Sequence, residues 1–345
     1  SVLCTFNHLR WEGARLFIKK EHIIEDGVKY FFLPTLKIRY INYIYNRIII
    51  KKFMADWRLK HPDGVIIRDC LKPYSYLVNK YAGYQKIVTI ITDLPEHLMM
   101  NSKGYINKLV NKLRLHLYNK IIQRSNYFVF LTEQMNEKLN KENKPYCIIE
   151  GLVNINIELN NKSQINKVKT CLYSGALHKH LGIKNLVNAF TDEKLCQYEL
   201  HLYGAGDYVS EIVKTTEKYS NIKYFGVVEN EIVVQKQMEA TVLINPRPTN
   251  QEFTKYSFPS KNMEYMASGT PVITTALAGM PSEYNEFVYI LEDYSESGIV
   301  KCISKIMNYS DQDLLHKGKE ARNFVLKFKN NVTQSKKIIE MIGKI

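Results

Sequence analysis

Between Ser257 and Thr274 the sequence runs SFPSKNMEYMASGTPVIT. Pro259 and two serines, Ser257 and Ser260, stand at what reads as a helix start. Lys261 follows, then Glu264 one turn further along, and Gly269 and Pro271 precede a β-branched run. The free N–H groups of such a helix start favour an anion, and Ser260 and Lys261 add a hydroxyl and a positive charge beside them. A carboxylate at Glu264 could accept hydrogen bonds from vicinal hydroxyls, as a ribose presents them. A diphosphate and a diol together describe a nucleotide sugar.

Other chemistry-bearing residues stand where apolar, strand-like runs stop. CLYSG ends in Gly175 and leads to Lys179, His180 and Gly182; this is either an anion site at the next helix or a routine strand-to-helix turn. LYGAGD carries Gly204 and Gly206, a tight turn that lacks the third glycine of a dinucleotide fingerprint. YFGVV leaves room at Gly226 for something flat, such as a nucleobase. LINPRP places Arg247 in a loop, where its planar fork suits phosphate oxygens or, alternatively, pairs with Glu252.

These positions need a scaffold with strand ends on one edge. Apolar β-branched runs alternate with helical patterns nearly throughout: strand candidates are 28–34, 64–69, 86–95, 126–132 and 146–152, then 169–175, 198–204, 222–226, 241–246, 271–275 and 287–293. In 104–125 Ile106, Leu109, Val110, Leu113, Leu117 and Ile121 recur at helical spacing. The Asn-rich segment 154–167 reads as a linker. The fold class expected is α/β, with two Rossmann-like domains facing a cleft: 1–153 on the acceptor side, 168–330 for the donor, and a terminal helix over 331–345.

The chain has 345 residues, 45% of them hydrophobic, and no apolar run near the length that spans a bilayer. Its six cysteines are scattered without a C-x-x-C pair, which predicts reduced, mostly buried thiols in a cytoplasmic protein. Of the net charge of +14, residues 1–150 carry +12, from 25 Lys and Arg against 13 Asp and Glu. This points either to an anionic partner or to a Lys-, Asn- and Ile-rich composition. A nucleic-acid partner would explain the charge but neither the SFPSK block nor the glycine turns, so none is expected.

The run YSGALHKHLGIKNLVNAF … LHLYGAGD … KYFGVV … LINPRPTNQEFTKYSFPSKNMEYMASGTPVITT, residues 173–275, resembles the C-terminal domain of retaining GT-B-fold glycosyltransferases close to family 4, of the kind found in bacterial polysaccharide assembly. The resemblance implies a GT-B fold, no cofactor or metal, and transfer of a hexosyl unit from a UDP- or GDP-sugar with retention. It implies a saccharide or polyprenyl-diphosphate-linked acceptor, and a cytoplasmic enzyme at the inner face of an anionic membrane. By resemblance Glu264 holds the ribose hydroxyls, and the backbone from Phe258 to Ser260 faces the donor sugar and phosphates.

Two departures stand out. Eight positions before Glu264, where the family has a second glutamate, this chain has Tyr256. The Arg/Lys pair expected before Gly182 is replaced by HKHL, leaving Lys179, His180, Arg247 and Lys261 for the diphosphate. In the N-terminal half only the rhythm and ITDLPEHL match; there Asp93 or His97 could serve the transferred sugar, although a surface role for His97 is equally open. The family's first strand and glycine-rich loop find no counterpart, so an incomplete N-terminal domain is expected.

The basic stretch 105–124 could lie on a bilayer surface or pack on its own sheet. Two rival readings are a nucleotide-sugar 2-epimerase of the same architecture and a non-catalytic nucleotide-sugar-binding module.

Overall fold

The computed structural model describes residues 3–5, 17–18, 21–25, 28–32, 35–36, 41–69, 75–94, 96, 105–155 and 168–343. The chain divides into two compact units, one formed by 1–130, 135–148 and 341–345, the other by 131–134 and 149–340. His97 and most of the expected linker, 156–167, lie outside the described residues.

In the first unit, strands β1 (Leu3–Thr5), β3 (Glu21–Glu25) and β4 (Val28–Phe32) make one small sheet, and β2 (Phe17–Ile18) pairs with β5 (Thr35–Leu36). Its main sheet is parallel, in the order β6 (Ile66–Asp69), β7 (Ile87–Ile91), β8 (Tyr127–Phe130), β9 (Tyr146–Ile148). Helix α1 (Ile41–Lys60) buries Ile50, Met54 and Trp57 against Leu77 of α2 (Ser75–Tyr81). Helix α3 (Tyr105–Arg124) buries Tyr118 and Ile121, whereas Leu113, expected on the apolar face, is exposed. Its carbonyl at Ile121 accepts from the buried Arg68 of β6 at 3.0 Å, so this helix packs on its own sheet. A short helix, α4 (Glu133–Leu139), leads towards β9.

The second unit is one parallel six-stranded sheet built from β10 (Thr170–Ser174), β11 (Glu199–Tyr203), β12 (Ile222–Gly226), β13 (Val242–Asn245), β14 (Val272–Thr274) and β15 (Tyr289–Ile290). The spatial order is β12-β11-β10-β13-β14-β15. The chain thus winds outward in one direction from β10, then returns to β13 and winds the other way. Such a reversal leaves a crevice beyond the strand ends, here between β10 and β13, because the connections on either side lead to opposite faces.

Alternation along the strands supplies both faces with apolar side chains. Leu200, Leu202, Ile244 and Ile273 build one core with α5 (Ile183–Ala189) and α9 (Glu296–Met307). Leu172, Leu243 and Val272 build the other with α8 (Ser260–Ala267) and α10 (Asp311–Phe328). Helices α6 (Val209–Thr216) and α7 (Asn230–Glu239) precede β12 and β13, and α11 (Asn331–Ile342) ends the described chain.

Within this unit the segments that begin and end it are clipped together. The Val153 N–H donates to the Lys329 carbonyl at 3.0 Å and the Asn331 N–H to the Val153 carbonyl at 2.9 Å. The buried Lys329 ammonium donates to the buried Glu150 and, at 2.6 Å, to Glu283, while the Tyr284 hydroxyl donates to Glu150 at 2.8 Å. Cys171 is buried, whereas Cys147 and Cys302 are half-buried and Cys196 is exposed, against the expectation that most of the cysteines are interior.

Candidate active site

Three neighbouring strands, β10, β11 and β12, each finish in a glycine with positive φ: Gly175 at 130°, Gly204 at 125° and Gly226 at 73°. That conformation is strained for residues with a β-carbon, and at Gly204 and the nearby Gly206 close backbone approach also excludes one. A β-carbon on Gly204 would lie 1.9 Å from the Gly175 carbonyl oxygen, and one on Gly206 would lie 2.2 Å from that of Leu177. The Gly175 N–H donates to Tyr203 at 2.9 Å and the Gly204 N–H to Gly226 at 2.7 Å, which carries the ladder to the sheet edge. Around Gly226 a β-carbon would meet nothing within 4 Å. The result is a shelf of bare backbone along the strand ends.

Lys261 lies across this shelf. A β-carbon on Gly175 would come within 2.3 Å of its Nζ. The ammonium stands 4.1 Å from the centre of the Tyr173 ring and donates to the Tyr173 hydroxyl, which donates in turn to the Ala176 carbonyl at 2.9 Å. Burial, with the Arg247 guanidinium adding to it, pushes Lys261 down to about 8, while Glu264 opposes the shift. Burial also lowers Arg247. The Arg247 guanidinium sits 4.9 Å above the Phe253 ring, and its buried Nε meets no hydrogen-bond partner among the described residues. No ion pair joins it to Glu252 among the described residues, so the alternative of a surface pair is not the one adopted. Among the described residues no carboxylate is locked to either cation, so both charges are left uncancelled.

One turn along α8, the Glu264 carboxylate points to solvent and accepts from the Gln237 amide. Pro259 caps this helix without a side-chain bond, and the Ser257 hydroxyl is buried with no partner among the described residues. Ser260 is exposed on the first turn. Phe258 offers only backbone: its ring is 5% exposed and packs 5.1 Å from the Tyr284 ring. Tyr256 ends a short 3-10 turn over Glu252–Tyr256 and is half-buried.

After β10, Lys179 and His180 occupy an exposed 3-10 turn, Lys179–Leu181. The Lys179 N–H donates to Asp207 at 3.0 Å, which holds the Asp207 carboxyl below its ordinary range, and the His178 and His180 rings stack at 5.3 Å. A β-carbon on Gly182, which has φ of 84°, would lie 2.1 Å from the Pro246 carbonyl oxygen, so the loops after β10 and β13 touch at the reversal point. Asp93 is exposed just beyond β7 in the other unit.

The structure therefore brings Gly175, Gly204, Gly226, Arg247, Lys261 and Glu264 to the strand ends of one sheet. Tyr173, Gln237 and Tyr265 join them without having been singled out in the sequence. In CLYSG and in the α7 and α8 patterns these look like ordinary core residues, so local sequence carried no signal for them. No group of His, Cys, Asp and Glu fit to hold a metal occurs among the described residues, and no described helix is long and apolar enough to cross a membrane.

Residues 168–308 match the family of glycosyl transferases group 1. No curated protein sequence matches the chain. In fold it is similar to sucrose-phosphate synthase from Thermosynechococcus elongatus, with a TM-score of 0.65 and 15% identity over 99% of this chain and 88% of that one. It is also similar to the lipopolysaccharide outer core galactosyltransferase WaaB, with a TM-score of 0.59 and 15% identity over 92% and 84%. Anabaena HepE, solved with UDP, has a TM-score of 0.64 and 14% identity over 92% and 86%. The chain has the GT-B fold, and its residues 168–308 are similar to the group 1 glycosyl transferases.

Proposed function

We propose that the protein transfers a hexosyl unit from a UDP- or GDP-sugar, with retention, to a saccharide or polyprenyl-diphosphate-linked acceptor in bacterial cell-surface polysaccharide synthesis. One observation carries this reading: a single helix sets the Lys261 ammonium over Gly175 and the Glu264 carboxylate one turn away, beside the point where the strand order reverses. The spacing suits a nucleoside diphosphate, with phosphates on the cation and ribose hydroxyls on the carboxylate. HepE, with UDP in its structure, supports a uridine nucleotide.

As the glycosidic bond breaks, negative charge grows on the departing diphosphate. Lys261, Arg247 and the N–H groups at the start of α8 are donors held in place for that charge, with the exposed Lys179 and His180 as further donors, and a preorganised cation costs no reorganisation at the moment of reaction. The leaving oxygen takes the acceptor's proton on the same face of the sugar, so no second carboxylate is required. Asp93, His97 and Tyr256 are assigned to the transferred sugar. The +12 charge of residues 1–150 supports an anionic acceptor at the inner face of a membrane.

The test is a donor screen with UDP- and GDP-sugars and membrane lipid extract, followed by nucleotide release. Release with one donor supports the reading; binding without release for every donor and acceptor overturns it in favour of a binding module. Glu264→Ala should weaken nucleotide binding about 10- to 100-fold, the scale of one or two charge-assisted hydrogen bonds. Unchanged affinity would remove the ribose assignment.

A further inference from the structure

An exposed glutamate on a helix ordinarily samples many rotamers, yet Glu264 is tethered from below. Gln237 on α7 is fully buried, and its amide nitrogen donates to the Ser174 hydroxyl at 3.0 Å and to the Glu264 carboxylate. An ionised carboxylate only accepts, so chemistry fixes which end of the amide faces it. The rest of the amide's surroundings are held as firmly. The Thr270 hydroxyl donates to the Gln237 main-chain carbonyl at 2.8 Å, and the Ser174 N–H donates to the Tyr265 hydroxyl at 2.8 Å.

This arrangement is a poor way to stabilise a fold. The Gln237 side-chain oxygen is buried with no hydrogen-bond partner among the described residues, which costs stability that an apolar side chain of the same volume would not. What the amide provides is direction: it ties one carboxylate oxygen of Glu264 and leaves the rest of its acceptor capacity facing outward.

We infer that Gln237 is a positioning residue for the donor nucleotide, holding the Glu264 carboxylate in the rotamer that receives the two ribose hydroxyls. The inference rests on the ribose reading of Glu264. It also gives the donor site a specificity element on a second helix, because discrimination between a ribose and its deoxy form then depends on an amide that touches neither.

The experiment measures binding of UDP, GDP and their 2′,3′-dideoxy counterparts to the full chain by calorimetry, for wild type, Glu264→Ala, Gln237→Met and Gln237→Asn. Met keeps the volume and removes the amide; Asn keeps a buried amide and draws it back from Glu264 by about one methylene, so a fold-competent variant remains if either fails to fold. Wild type should prefer the ribonucleotide about 10- to 100-fold, and each Gln237 variant should reduce that preference about 3- to 10-fold with little change in affinity for the dideoxy form. A purely structural role predicts equal losses for both nucleotides, and that result, or an unchanged preference, overturns the inference. The two readings fail separately: Glu264→Ala leaving the preference intact, or no binding of either nucleotide, removes the ribose assignment and this inference with it. A preference lost in Glu264→Ala but kept in both Gln237 variants removes the positioning role alone.

Discussion

Lys261 lies against Tyr173, with its ammonium 4.1 Å from the ring centre and bonded to the hydroxyl. An aromatic ring steadies a cation without cancelling its charge, as a carboxylate would. The positive charge at the end of β10 is therefore left to act on a ligand, in surroundings that already strain to keep it protonated.

That strain sets a pH dependence. In the free protein Lys261 titrates at about 8, below the usual lysine value, because of burial and then Arg247. Binding a diphosphate favours the protonated form. Nucleotide affinity should hold steady up to about pH 8 and fall towards tenfold per pH unit above it, while Lys261→Met flattens the profile. The sign for stability is opposite. The unfolded chain binds the proton more tightly, so this group's cost is full below about pH 8 and disappears as pH rises towards the ordinary lysine value. Calorimetric titrations of UDP from pH 7 to about 9.5 would check the binding slope.

The strand-end glycines should differ sharply in what they tolerate. Gly204→Ala combines a left-handed φ with backbone overlap at the Gly175 carbonyl, and should cost about 2–5 kcal/mol. Gly226→Ala has the strain but open space, and should cost about 1–2 kcal/mol. Urea unfolding of the two variants gives the order directly; equal costs would contradict the packing described.

Removing the buried ammonium should be severe. Lys329 and Glu150 are each 4% exposed, and Lys329→Met strands the Glu150 carboxylate, which should cost about 3–5 kcal/mol. The double variant with Glu150→Leu should recover much of that loss, since a buried ion pair is often replaceable by apolar volume. Thermal and urea denaturation of the single and double variants decide it.

Asp93→Asn should separate turnover from donor binding. Asp93 lies past β7 in the first unit, whereas Arg247, Lys261 and Glu264, proposed for the nucleotide, belong to the second. With Asp93 serving the transferred sugar, sugar transfer should fall at least about tenfold with nucleotide Kd unchanged, the pattern of a contact made in the transition state. A change in Kd alone would assign it to binding instead.

Much of this organisation is written locally. Every strand candidate in the sequence contains a strand, because β-branched runs bounded by turn residues need no distant partner to be recognised. Gly175, Gly204 and Gly226 were legible as strand ends, and their φ values explain why no other residue type serves there as readily. The short pairs Phe17–Ile18 and Thr35–Leu36 were not legible, being too brief for any alternation to show. The exposure of Leu113 and Cys196 also escaped, since periodicity marks a face but not what covers it.

The sequence by itself determined the strand ends and the helix carrying Lys261 and Glu264. Only the tertiary structure decided that Tyr173 would lie under Lys261 and that Gln237 would reach Glu264. The reason is strand order. The reversal between β10 and β13 brings side chains from distant strands and helices to one edge, and a pattern of local burial carries no information about which strands become neighbours.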